Sequence, residues 1–294
     1  MLYQIVWIFF MYAFLGWCTE VSYAALVTGR FVNRGFLNGP VCPIYGFGVV
    51  VVLACLTPLA DFLPVLFLGS VLLTSLLEWL TGFVLEKLFH QRWWDYSDEP
   101  FNLGGYICLR FSIAWGFACL FVVKLLHPTV LLLIRLIPVR LGVILLVALG
   151  AALAVDLAAT VSSVVKLNRR LSRIDELAAK IKAASNDFGE DLAERVLEAA
   201  ARGADWREEL EELSFRLAER RAELAGERED WERRREERLA QARRQLEEWR
   251  SSMDALLDKP AFGHRRLLRA FPRLRSSGHQ TALERLRRRI GERK

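Results

Sequence analysis

Apolar residues dominate the first half of the chain, in runs long enough to cross a lipid bilayer. Five stretches approach the length of about 20 residues that a spanning helix needs. They run from Tyr3 to Val27, Val41 to Ala60, Phe62 to Leu88, Tyr106 to Leu126 and Leu141 to Val165. The pattern predicts an all-α polytopic membrane helix bundle of about five spans. A further apolar segment, Val130 to Ile137, is too short to span and is predicted to lie at the membrane interface.

Beyond the last apolar stretch the chain becomes highly charged but keeps a helical pattern. A proline-free run extends from Val139 to Lys259. Ser185-Asn186-Asp187-Phe188-Gly189 favours a break in it. An approximate seven-residue repeat predicts a coiled coil or a helical hairpin, with a solvated single helix as the alternative. The repeat consists of Leu210, Leu217, Leu224 and Trp231, and then, after one extra residue, of Leu239, Leu246 and Met253.

Charge separates the chain into three predicted regions. Residues 1–155 hold only 8 of the 40 Lys and Arg residues and 7 of the 34 Asp and Glu residues. We therefore expect a transmembrane domain over 1–167, a cytoplasmic helical or coiled-coil region over 168–259 and a basic tail over 260–294. Excess positive charge in the segments that follow the first, third and fifth stretches predicts a multi-pass protein of the cytoplasmic membrane, with its N-terminus outside and its C-terminal region in the cytoplasm.

The basic tail and the helical region suggest partners besides the bilayer. Residues 264–294 contain eleven Lys and Arg against two Glu. Such a tail is expected to bind anionic lipid or an acidic protein. Nucleic acid is not expected, because no aromatic residues alternate with the basic ones as they do in RNA-binding proteins. The helical region could pair with a second copy to form a homodimer.

Two polar loops and four acidic residues inside the apolar stretches carry the unusual chemistry. The first loop, residues 28–46, is rich in Gly, Pro and Asn, which specify ordered turns. The second, residues 92–106, combines interfacial aromatic residues with polar ones. Glu20, Glu78, Glu86 and Asp156 lie within predicted spans, where carboxylates face a bundle interior or a wet cavity. They would either pair structurally, as Glu20 could with Arg30 or Arg34, or form a ligand or ion site.

From these observations we select candidates for a ligand site or a transport pathway. Asp95 lies among aromatic residues and needs a hydrogen-bond donor, which Arg34 or Arg110 would supply. The five cysteines are scattered singly, which argues against disulfides and zinc, and no metal, cofactor or catalytic residue is predicted. The candidates are Glu20, Asn33, Arg34, Asn38, Tyr45, Glu78, Glu86, Trp94, Asp95, Tyr96, Ser97, Asn102 and Arg110.

Several separated motifs together resemble a known family of bacterial membrane proteins. They are Gly16-Trp17-Cys18 with Glu20, the run from Asn33 to Pro40, Cys42-Pro43-Ile44-Tyr45-Gly46, Glu78, and Trp94-Asp95-Tyr96-Ser97 with Phe101-Asn102. This combination over residues 5–165 is similar to the Putative ABC-transporter type IV family. The resemblance implies a transporter permease. In this chain Gly105-Tyr106 stands where the family pattern leads us to expect a basic residue after the glycine.

Three functions remain open from the sequence. The first is a permease-like subunit of unknown substrate whose ATPase is a separate subunit, since the chain has no GxxxxGK[ST] loop. The second is a membrane-anchored scaffold or regulator that recruits a partner through its helical region. The third is a membrane-embedded enzyme acting on a lipid phosphate, with Arg34 and Arg110 holding the phosphate. No catalytic spacing such as HExxH or GxSxG supports the third, so enzyme activity is not the leading expectation.

Overall fold

A computed structural model describes residues 1–205, 217–258 and 262–291 of the chain, and within these ranges the architecture is almost entirely helical. The predicted all-α membrane fold is confirmed. The helices are α1 (Leu2–Thr28), α2 (Pro43–Leu56), α3 (Leu63–Phe89), α4 (Leu109–Phe121), α5 (His127–Leu136), α6 (Val139–Asp205), α7 (Leu217–Asp258), α8 (Phe262–Ala270) and α9 (Gln280–Gly291). Four two-residue strands accompany them, β1 (Gln91–Arg92), β2 (Asn102–Leu103), β3 (Ile107–Cys108) and β4 (Arg275–Ser276).

Four of the described helices are long and apolar enough to cross a membrane. They are Leu2–Thr28, Leu63–Phe89, Leu109–Leu136 and Val139–Asn186. The second of the five predicted stretches forms a shorter apolar helix, Pro43–Leu59. Proline explains the difference, because Pro43 starts α2 and Thr57-Pro58 turns its end into a single 3₁₀ turn.

The fourth span is longer than the sequence indicates. α4 continues through a π-helical turn, Val122–Leu126, directly into α5. The prediction of a separate interfacial segment from Val130 to Ile137 is therefore wrong. Pro128 lacks the N–H that an α-helix would direct at residue 124, and the wider π turn accommodates this defect without ending the helix. Val130 and Ile134 are buried with Trp7 and Tyr12 of α1.

Small residues allow α1 and α2 to approach each other closely. A Cβ atom at Gly16 would overlap the ring of Tyr45, and one at Gly46 would lie 2.6 Å from the carbonyl oxygen of Phe9. Membrane helices pack in this way because lipid provides little hydrophobic drive for association, so close van der Waals contact has to hold them together. A second apolar cluster joins Leu56, Leu66 and Cys119 at the far end of the α2–α3 hairpin.

The charged part of the chain also differs from its prediction. α6 is continuous through Ser185 to Gly189, so the predicted break there is wrong. Turn propensity is a weak preference that an otherwise strong helical sequence overrides. In α7, half-buried residues recur with alternating spacings of three and four at Leu239, Ala242, Leu246, Trp249, Met253 and Leu256. Leu210, and the side chains of Leu217, Leu224 and Trp231, lie outside the part described, and the coiled coil stays a prediction.

The chain forms two compact units. One comprises residues 1–171 together with 260–294, and the other comprises residues 172–259. The C-terminal segment, which we define as residues 262–291, thus packs with the membrane helices. β4 pairs antiparallel with β1, with Gln91 opposite Ser276 and Arg92 opposite Arg275. In this segment Leu267, Leu274, Leu283 and Leu286 are almost completely buried.

Candidate functional site

The first polar loop is an ordered structure closed by Asn33. The amide oxygen of Asn33 accepts the Trp17 indole N–H at 2.8 Å and the backbone N–H of Gly35 at 3.1 Å. Its amide nitrogen donates to the carbonyl oxygen of Asn38 at 2.7 Å. One side chain therefore joins both arms of the loop to α1. The loop is ordered, as predicted, and Asn33 itself serves to fold it.

Asn38 connects this loop to the last span through Asp156. The Asn38 amide donates to Asp156 Oδ1 at 2.7 Å and to Thr160 Oγ1 at 3.0 Å. The backbone N–H groups of Asn38 and Gly39 add bonds to Asp156 of 3.0 and 2.7 Å. With the Thr160 hydroxyl at 3.4 Å, four donors satisfy the Asp156 carboxylate, which is how a charged group within an apolar stretch is stabilised. Asp156 therefore anchors the first polar loop to α6.

Glu20 is bound by a phenol and an arginine. The Tyr45 hydroxyl donates to Glu20 Oε1 at 2.6 Å, and Arg34 Nε lies 3.6 Å from Glu20 Oε2. Of the two partners expected for Glu20, Arg30 and Arg34, the structure shows Arg34. The Arg34 guanidinium also lies 5.1 Å from the centroid of the Tyr23 ring, in cation–π contact.

Glu78 lies close to Glu20 but has different hydrogen-bond partners. Its Oε1 accepts the Tyr96 hydroxyl at 3.2 Å, whereas its Oε2 is buried without a hydrogen-bond partner. The Trp115 ring packs edge-on against Tyr45 at 5.5 Å between centroids, beside the same carboxyl group. We call these five residues, Glu20, Tyr45, Glu78, Tyr96 and Trp115, the acidic aromatic cluster. It draws on α1, α2, α3, α4 and the second polar loop.

Glu86 and Asp95 belong to a second, more polar network at the end of α3. Glu86 Oε2 accepts Arg92 Nε and the Tyr106 hydroxyl, each at 2.8 Å. The Arg92 guanidinium lies 4.6 Å from the centroid of the Tyr106 ring. Tyr106, which replaces an expected basic residue, thus supplies a hydroxyl to Glu86 and a ring face to Arg92.

Asp95 is 5% exposed and accepts the backbone N–H and hydroxyl of Ser97 at 3.0 and 2.5 Å. Its cationic partners are Arg275, at 2.8 Å, and Arg92, at 3.7 Å. The predicted partners Arg34 and Arg110 are therefore wrong. Burial alone would raise the pKa of Asp95, but the Ser97 hydrogen bonds and the two arginines outweigh it and lower the pKa below its ordinary value. Asp95 is accordingly an ionised anchor.

The remaining candidates shape the second polar loop. The Trp94 indole donates to the carbonyl oxygen of Tyr106 at 2.9 Å. Asn102 donates to the carbonyl oxygens of Ser97 and Glu99 at 3.2 and 2.8 Å and accepts the N–H of Gly105 at 3.2 Å. These contacts hold the turn that brings Asp95 and Tyr96 into place.

Arg110 stands apart from the other candidates. Its guanidinium is 3.8 Å from Glu99, and its side chain is 74% exposed. It contacts neither the acidic aromatic cluster nor Asp95 among the interactions of the described residues. No group of three or more His, Cys, Asp and Glu residues that could hold a metal occurs within those residues either.

The C-terminal segment contributes contacts that the sequence did not indicate. Arg266 donates to the carbonyl oxygens of Gly35, Phe36 and Leu37 at 3.0, 2.7 and 2.8 Å. Ser277 donates to Glu86 Oε1 at 3.0 Å. The basic composition of the tail predicted binding to anionic lipid or an acidic protein, not packing against the two polar loops. The signal that could have found the packing is the helical spacing of its apolar residues, Leu267, Leu268, Phe271, Leu274, Leu283 and Leu286.

His264 is buried in the same segment. Burial, reinforced by the positive charge of Arg170, lowers the pKa of His264 to about 4. The ring is thus neutral at physiological pH. Docking of the segment therefore places an uncharged imidazole, and not a third cation, beside Arg170 and Lys166.

Comparison with known proteins gives one match. The model of the Putative ABC-transporter type IV family matches residues 7–161, more than half of the chain. No curated protein and no solved structure matches the chain. The matched range contains both polar loops and all thirteen candidate residues. With its apolar helices and this match, the chain is a transporter-related membrane protein and belongs to the Putative ABC-transporter type IV family.

Proposed function

We propose that the protein is a permease-like subunit of a transporter and that it works with a separate ATPase subunit. The observation that carries the proposal is the acidic aromatic cluster, which gathers two carboxylic residues from two spans at one point in the helix bundle. The family supports the transport role. The chain itself contains no GxxxxGK[ST] loop, so ATP hydrolysis is assigned to a partner.

Chemistry favours a functional use of the cluster over a purely structural one. Carboxylic residues inside a membrane are costly, and they persist where they line a pathway or relay or have fixed partners. Asp156, with its four donors, has such fixed partners. Glu78 meets this condition less fully, since its neighbouring donors are the Tyr96 phenol and the Trp115 indole, and its Oε2 accepts no hydrogen bond among the described residues. An incompletely satisfied acid beside a second acid is suited to exchanging partners during transport.

The position of the cluster also suits a permease. Tyr96 comes from the second polar loop, and Arg34, which binds Glu20, comes from the first. A partner that moved these loops would move the phenol on Glu78 and the arginine on Glu20. This is how hydrolysis in a separate subunit would be transmitted to the bundle.

The test begins with purification from native membranes in mild detergent, read by mass spectrometry for proteins and lipids together. We expect a stoichiometric ATPase, and ATP turnover by the complex that falls at least tenfold with Glu78→Gln. Asp61→Asn is the matched control, because Asp61 is a fully exposed carboxylate in the α2–α3 turn. Absence of any ATPase, or equal turnover of the two variants, would overturn the proposal.

A second candidate function is a membrane-anchored scaffold, in which residues 172–259 bind a partner. The unit formed by these residues leaves the membrane unit after Leu171 and rejoins it at Pro260. α7 in this unit carries the half-buried stripe from Leu239 to Leu256, which is suited to binding a helix. In this case Leu246→Glu would abolish recruitment of the partner while Glu78→Gln would not.

A further inference from the structure

The C-terminal segment contacts the two polar loops at three separate places. Arg266 of α8 occupies a cradle of three carbonyl oxygens, β4 adds a strand to β1, and Arg275 pairs with Asp95. The Phe271 ring also packs edge-on against Trp93, with 4.9 Å between centroids. Leu267, Leu274 and Leu283 of the segment are almost completely buried, so the segment is packed as well as hydrogen-bonded.

We propose that the two polar loops form a docking site for a basic peptide segment, that residues 262–291 of this chain are its occupant, and that occupancy holds Arg34 on Glu20. For its consequence in transport the idea rests on the proposed permease function. The docking itself does not depend on that function.

The chemistry of the site selects an arginine-bearing segment. Three carbonyl oxygens that converge on one side chain match the fork of donors of a guanidinium, whereas an ammonium group presents three donors from a single atom. Strand addition supplies main-chain hydrogen bonds, and the buried carboxylate of Asp95 selects a cation four positions after Phe271. A basic segment with arginines nine residues apart therefore fits the site.

The cradle connects docking to the acidic aromatic cluster. Gly35, Phe36 and Leu37 lie between Arg34, which binds Glu20, and Asn38, which binds Asp156. Arg266 thus fixes the middle of a short loop whose two ends touch acids of different spans. Without Arg266 those carbonyl oxygens lose their only described side-chain donor, and the loop loses a restraint on Arg34.

The test uses the full chain with a specific protease site placed at residues 259–261. After cleavage, only docking retains the C-terminal fragment on the membrane part. We expect wild-type fragment to stay bound through affinity purification. Arg266→Ala should lower retention at least tenfold, and Arg266→Lys should also lower it, because the charge remains but the fork of donors is lost. Arg273→Ala is the control, since Arg273 is an exposed arginine of the same segment.

A second readout follows the loop itself in the uncut protein. Cys42 is buried at the end of the first loop, with its backbone N–H bound to the carbonyl oxygen of Ala13 at 2.9 Å. We expect maleimide labelling of Cys42, measured by peptide mass spectrometry, to be at least tenfold faster in Arg266→Ala than in Arg273→Ala. Release of the wild-type fragment would overturn the docking site. Equal labelling in the two variants would overturn the coupling to the loop, whatever the ATPase experiment gives.

Discussion

Asn38 and Asp156 are 118 residues apart in sequence and lie 2.7 Å apart between the Asn38 amide nitrogen and Asp156 Oδ1. Three further hydrogen bonds join the first polar loop to the last span. The backbone N–H groups of Asn38 and Gly39 donate to Asp156, and the Asn38 amide donates to Thr160. The loop is therefore held at both ends by side chains, Asn33 at one and Asn38 at the other. Such double anchoring is what allows a short glycine-rich loop to carry Arg34 in a defined position.

Asp156→Asn is expected to destabilise the protein. The substituted amide would direct a donor at one of the N–H groups that Asp156 now accepts, leaving it unsatisfied. The expected loss is about 1–3 kcal/mol. Thermal unfolding in detergent measures it, with Asp61→Asn as the exposed control. Equal stability of the two variants would show that the bonds to Asp156 add nothing.

Glu20→Gln and Glu78→Gln should differ in stability. Glu20 neutralises Arg34, so its replacement leaves a half-buried guanidinium without its carboxylate. Glu78 has no cation partner among the described contacts, and a glutamine oxygen can still accept the Tyr96 hydroxyl. We expect Glu78→Gln to unfold within about 0.5 kcal/mol of wild type and Glu20→Gln to lose more. A larger loss for Glu78→Gln would indicate that Glu78 is structural.

Docking of the C-terminal segment is expected to weaken in acid because of His264. The pKa of this histidine is lowered from 6.5 to about 4 in the folded protein. Between these values the undocked or unfolded state binds the extra proton, so stability rises with pH in this range. The contribution is therefore complete above pH 6.5 and is lost as the pH falls towards 4. Retention of the cleaved fragment across this range measures it, and His264→Asn should remove the dependence.

Gly105→Ala should disturb the Asp95 network more than its backbone strain alone explains. Gly105 has φ +74°, and a Cβ there would lie 2.6 Å from both Asp95 Oδ1 and Ser97 Oγ. Gly29 is the matched control, because it has φ +67° with open space around it. We expect Gly29→Ala to cost about 1 kcal/mol from the left-handed backbone. Gly105→Ala should lose clearly more in thermal unfolding, and equal losses would contradict a tight fit at Asp95.

The sequence was sufficient for the helical membrane fold and for local pairings. The apolar runs predicted the four helices that are long enough to cross a membrane, and Arg34, fourteen residues after Glu20, was one of the two partners expected for it. The partner of Asp95 was not predictable, because Arg275 follows it by 180 residues and lies in a segment whose basic composition predicted binding to lipid or to another protein. Two boundaries were wrong for local reasons, since Pro43 shortens α2 and Pro128 is absorbed by a π turn.

The candidate site also combines features that the sequence predicted with features that it did not. Residue types within the loops predicted an ordered polar surface, and the structure assigns most of them to holding one another, as Asn33, Asn102 and Ser97 do. The proximity of Glu20 and Glu78 could not be read from the sequence, because it depends on how α1 and α3 pack. Likewise, only the fold reveals that Glu78 lacks the donors that Asp156 has.

The π turn from Val122 to Leu126 has a consequence for how the chain tolerates change in length. A π turn holds one more residue than an α turn, so every side chain after it is rotated by about 100° relative to a regular helix. Val130 and Ile134 face Trp7 and Tyr12 only with that extra residue in place. Deleting a single residue here would regularise the helix and turn its apolar contact away from α1, so this stretch should accept substitutions far more readily than insertions or deletions.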